Sequence, residues 1–140
     1  MNTVAELTGI GFDATLAQHV LDYVERLNGS DAIGPGKNHK GGRYMSFSVD
    51  SKATRANKYV RIIGDTGGPY GKSVHAFIVK ATGQVVKPAG YKAPAKSTAA
   101  GKVGEFLSNY TLTDDDSRAK LWNLLATDAG CFAGGYLYQR

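Results

Sequence analysis

At 140 residues and 14.9 kDa, with 42% apolar and 21% charged side chains, the chain is sized for one domain with a real core and is too apolar for wholesale disorder. It contains no apolar run of roughly 18 residues for a membrane span, and Met1-Asn2-Thr3-Val4-Ala5-Glu6 lacks the basic-then-apolar order of a secretory signal. The lone cysteine, Cys131, excludes an intramolecular disulfide framework and a Cys-rich zinc site. A net charge of +5 hides a segregation: residues 1–33 carry −4, residues 34–102 carry thirteen Lys/Arg against Asp50 and Asp65 for +11, and residues 103–140 carry −2. So basic a segment between acidic ends points to an anionic partner, the alternative being solubility and pairing with the chain's own acidic helices.

The N-terminal part reads as helix. Thr3 and Glu6 stand at capping-box spacing and predict a turn or two, stopped near Gly9 and Gly11. Asp13 is then a candidate N-cap for a helix over 14–27, where Leu16, Ala17, Val20, Leu21, Val24 and Leu27 form one apolar stripe before Asn28-Gly29 ends it. The centre reads as strands at about 44–50, 58–64, 73–80 and 84–88, the last two joined by Ala81-Thr82-Gly83-Gln84, a turn with glycine where positive φ is useful. A weaker helical pattern covers 101–109, with Val103, Phe106 and Leu107 on one face. A stronger helix is expected over 114–128, N-capped by Thr113, with Asp114, Asp115 and Asp116 at its positive end and Leu121, Trp122, Leu124 and Leu125 on its apolar side. The expected fold is α+β: a small antiparallel sheet of three to four strands packed against N-terminal and C-terminal helices. A single domain is expected over 1–140, helical at 1–33, basic and β-rich at 34–102 and helical at 103–140.

No catalytic set emerges. Gly71-Lys72-Ser73 has the end of a phosphate-loop pattern, but Thr66 stands where glycine is needed and Val74-His75-Ala76-Phe77-Ile78-Val79 reads as strand where a helix should follow. His19, His39 and His75 fall in a helix, a loop and a strand without metal-ligand spacing. The three consecutive aspartates are explained by helix capping, and Cys131 reads as a small buried residue. An enzyme is therefore the least favoured class, and no metal or cofactor is expected.

The strands offer a binding surface instead. Alternation places Tyr59, Arg61 and Ile63 on one face of the second strand, and His75, Phe77 and Val79 on one face of the third. With the aliphatic faces packed on helices, Tyr59, Arg61, His75 and Phe77 would share the outer face and stack unpaired bases, while Lys58, Lys72, Lys87, Lys92 and Lys96 hold phosphates. The competing expectation is that these aromatics are core.

Lys58-Tyr59-Val60-Arg61-Ile62-Ile63, Ser73-Val74-His75-Ala76-Phe77-Ile78 and, above all, Lys87-Pro88-Ala89-Gly90-Tyr91-Lys92-Ala93-Pro94-Ala95-Lys96 resemble small, mostly uncharacterised proteins of tailed bacteriophages. The likeness covers about a third of the chain; the phage proteins carry Trp at the position of Tyr91 and an Arg-Gly-Asn-like segment where this chain has Thr98-Ala99-Ala100-Gly101-Lys102. The resemblance implies a viral origin and carries over no catalytic residue. Pro88 and Pro94 predict a stiff strap, pinned or ligand-stacked through Tyr91. The expected function is that of a basic phage accessory protein binding nucleic acid non-specifically, single-stranded DNA or RNA in preference, in the host cytoplasm and with no membrane role. The alternatives are a virion structural component (capsid decoration, internal or connector protein) and an inhibitor docking on a host protein.

Overall fold

The computed structural model describes residues 3–29, 46–50, 58–65, 71–89, 94–98, 100–101, 103–106, 108–127 and 137. Two N-terminal helices, α1 (Val4–Gly9) and α2 (Ala14–Gly29), precede five strands: β1 (Ser46–Val49), β2 (Tyr59–Asp65), β3 (Lys72–Val79), β4 (Gln84–Val86) and β5 (Ser108–Thr111). A third helix, α3 (Asp115–Thr127), follows them. The sheet is an antiparallel meander in the order β1-β2-β3-β4-β5, which with the helices makes the α+β fold expected, though with one strand more than the upper estimate.

The caps explain where the helices begin. Thr3 accepts the Glu6 N–H at the start of α1, and Asp13 accepts the N–H groups of Thr15 and Leu16 at 3.0 and 3.3 Å. For α3 the expected cap is displaced by one residue. Asp114 Oδ2 accepts the Ser117 N–H at 2.8 Å, while the Thr113 hydroxyl donates to the Thr82 carbonyl at 2.7 Å and ties the helix start to the β3–β4 turn. The helix expected over 101–109 is not formed. Gly101 and Gly104 take positive φ, the Gly104 N–H closes a turn on the Ser97 carbonyl, and Ser108–Thr111 is strand paired with β4. The predicted fourth strand stops at Val86, after which Pro88 bridges Pro94 and Lys96 bridges Phe106.

All three helices cover one face of the sheet. Phe47, Val49, Val60, Ile62, Ala76, Ile78 and Val85 point into that layer and meet Leu7, Leu16, Val20, Tyr23, Leu27, Leu121 and Leu125. Leu137, near the C-terminal end of the sequence, is buried in this core. The second face carries a smaller core of Phe77, Val79 and Val86, packed by Tyr59, Val74 and Phe106. Phe106 belongs to the connection that folds back between β4 and β5. No helix among the described residues is long and apolar enough to cross a membrane.

Candidate nucleic-acid interface

The outer face is built by cross-strand rows. Ser46, Asp65 and Lys72 are register partners in one row, and Ser48, Ile63 and Val74 in the next. Arg61 pairs with Phe77, and Phe77 with Val86; Tyr59 pairs with Val79. Two of the expected members therefore sit together, with Tyr59 and Phe77 in edge-to-face contact at 5.2 Å between ring centroids. Yet Phe77 is fully buried and Tyr59 half-buried, so the pair belongs to the second core and presents no open ring face on which a base could stack on Phe77.

His75 leaves the row altogether. Ile62 pairs with Ala76 but Ile63 pairs with Val74, making His75 the extra residue of a β-bulge. The bulge interrupts alternation: Val74 joins the outer core expected of His75, and the imidazole is buried edge-on against Phe47 at 5.0 Å. Burial pushes its pKa down from 6.5 to about 4. The sequence pattern of alternating apolar residues contained no mark of this inserted residue.

The cations divide into held and free-standing groups. Arg61 Nε donates to Asp50 Oδ2 at 2.9 Å, with both side chains largely buried, so its charge is neutralised in place. Lys87 is half-buried and its carbonyl accepts the Ala95 N–H at 2.8 Å. Lys58, Lys72 and Lys96 are exposed. Lys72 lies opposite Asp65, and Lys96 Nζ stands 5.3 Å from the centre of the Phe106 ring. Tyr91 and Lys92 lie outside the described residues. So do Cys131, His39 and residues 90–93 of the strap that Tyr91 was expected to pin, whose two ends are joined by the Pro88–Pro94 bridge. Acidic groups collect on the helical layer, where Glu6, Asp13, Glu25, Asp115 and Asp116 are exposed on α1, α2 and α3 or at their caps. Among the described residues, no group of three or more His, Cys, Asp or Glu side chains is placed to hold a metal ion.

One residue that sequence reasoning treated only as a helix terminator acts at long range. Asn28, in the last turn of α2, accepts the Phe47 N–H at 2.7 Å through Oδ1 and donates Nδ2 to the Phe47 carbonyl at 2.9 Å. Its amide thereby takes the place of a neighbouring strand at the edge of the sheet. The nineteen-residue separation left no local signal for this contact.

The chain belongs to a family of unknown function, DUF7717, whose model matches residues 12–139. The match starts beyond α1 and takes in α2, the whole sheet and α3. Neither the curated proteins nor the solved structures contain a match to the chain.

Proposed function

We propose that the protein is a small bacteriophage accessory protein that binds nucleic acid through phosphates, without strong sequence preference, in the host cytoplasm. The observation that carries this reading is the opposition of charge across the fold: exposed Lys58, Lys72 and Lys96 on the sheet side, from a segment of thirteen cations and two acids, against an acidic helical layer. A polyanion is drawn to the first surface and repelled by the second, which orients it before contact. The resemblance of residues 58–102 to tailed-phage proteins supports the viral setting. Base stacking plays a smaller part in this reading than the sequence suggested, because Phe77 is buried and His75 faces Phe47. The preference for single strands loses its physical basis with them.

Fluorescence anisotropy with labelled single-stranded DNA, duplex DNA and RNA, titrated at two salt concentrations, tests the reading. Affinity should fall with salt at a log–log slope near −0.7 per phosphate contact on single strands and about −0.9 on duplex. The triple variant Lys58→Ala, Lys72→Ala, Lys96→Ala should weaken binding and flatten that slope. Arg61→Ala should change affinity little, since its guanidinium is held by Asp50. Absence of binding at low salt would overturn the proposal.

A further inference from the structure

Asn28 is followed by Gly29, the one Asn-Gly step in the chain. Glycine lacks the Cβ that shields a backbone nitrogen, so this step is the most favourable setting for attack of the Gly29 nitrogen on the Asn28 side-chain carbonyl carbon. The attack forms a C–N bond, expels ammonia and leaves a succinimide. Water then opens that ring to aspartate or isoaspartate, so the net change is amide plus water to carboxylic acid plus ammonia.

The folded molecule opposes the first step. Ring closure requires the side-chain amide to swing onto the Gly29 nitrogen, yet both of its polar atoms are engaged on Phe47, at 2.7 and 2.9 Å, in a half-buried site. The Asp50 N–H bonds to the Arg61 carbonyl, which by strand alternation turns the Phe47 backbone groups away from β2. As β1 is an edge strand, Asn28 alone stands against them in that direction among the described residues. The product cannot restore the clamp. In a carboxylate at position 28 an anionic oxygen replaces the donor that faced the Phe47 carbonyl, so two acceptors repel each other and draw the side chain off the Phe47 N–H as well.

We propose that Asn28 is a site of spontaneous deamidation, held inert by its clamp on β1, and that its conversion to aspartate unlocks α2 from the edge of the sheet. The closed clamp protects the residue; each opening exposes it, and a reaction during opening makes release permanent. An unlocked β1 presents an unpaired donor and acceptor, the feature through which edge strands recruit further strands.

Peptide mapping by mass spectrometry follows the gain of about one mass unit at Asn28 during incubation at neutral to mildly alkaline pH. The folded protein, the protein unfolded in urea and a free peptide spanning residues 24–33 are compared. The folded protein should react at least about tenfold more slowly than the peptide, and the urea-unfolded chain should match the peptide. Hydrogen exchange of the Phe47 amide should quicken by about tenfold or more in Asn28→Asp. The deamidated fraction of aged wild-type protein provides the same readout should that variant not fold. Deamidation of the folded protein at the peptide's rate, an unfolded chain as inert as the folded one, or undiminished Phe47 protection in deamidated material would each overturn the proposal.

Discussion

Protonating His75 should destabilise the fold over a defined window of pH. An ordinary histidine takes its proton near 6.5, whereas burial beside Phe47 lowers the value for His75 to about 4. The unfolded chain therefore binds a proton between these values while the folded chain resists it. The contribution is fully present above 6.5, declines as pH falls through that value, and is lost by about 4. At 1.36 kcal/mol for each unit of difference, the full loss is about 3 kcal/mol, of which about 2 is gone by pH 5. That is a large share of the roughly 5–15 kcal/mol by which domains are stable. Urea unfolding from about pH 7 down to about pH 5, for the wild type and for His75→Phe, isolates the effect, because the carboxylates titrate alike in both proteins and cancel in the difference. His19 shifts in the same direction, by burial first and then by the charge of Arg118, and a His19→Gln background removes it. Stability profiles of wild type and His75→Phe that run parallel through this range would refute the assignment of a buried, neutral imidazole at the bulge.

Gly83→Ala should cost about 2–3 kcal/mol, read as a fall in the urea midpoint. Gly83 sits at φ +75°, and an added Cβ would come within 2.8 Å of the Thr113 methyl, 3.1 Å of the Thr113 nitrogen and 3.2 Å of Leu16. Phe77→Ala should cost about 3–5 kcal/mol despite lying on the face away from the helices, because the ring is fully buried with Val79 and Val86. A change below about 0.5 kcal/mol would mean that the ring is a surface residue open to a ligand.

What was legible in the sequence was what local geometry determines. Thr3 and Asp13 cap their helices because the hydroxyl or carboxylate reaches N–H groups two or three residues on, and the spacing alone announces it. The stripe from Leu16 to Leu27 and the alternation of Val60 and Ile62 likewise turned toward the main core. Ser108–Thr111 failed this test. Its side chains are polar, and it is strand because β4 lies beside it and the Ser108 hydroxyl, with one proton to donate, lies within hydrogen-bond reach of both the Val85 and the Tyr110 carbonyls. Residue type pointed to Thr113 as the cap of α3. The cap is Asp114, and the Thr113 hydroxyl instead donates to the carbonyl of Thr82, thirty-one residues back. His75 and Asn28 share the same difficulty: one residue inserted into a strand, or one amide bound across the fold, leaves composition and periodicity unchanged.

The candidate interface follows from the same division between local and distant. Both acids of the basic segment, Asp50 and Asp65, occupy the sheet, where Asp50 binds Arg61 and Asp65 faces Lys72 across the β2–β3 pair. Charges on the strands are therefore close to balanced, and pairs of this kind contribute mainly to sheet pairing, at roughly 0.2–1 kcal/mol each. The surplus is carried by Lys58, Lys80, Lys87 and Lys96 together with Lys37, Lys40, Arg43, Lys52, Arg55, Lys92 and Lys102, which stand in sequence segments containing no acid at all. On the proposed reading, a polyanion would meet cations that lie outside the strands in the sequence rather than an aromatic surface upon the sheet. Replacing Lys58, Lys72 and Lys96 should then lower the salt slope by only about two phosphate contacts and leave most of it in place. Complete loss of salt dependence in that variant would confine the binding surface to these three lysines and refute the wider distribution.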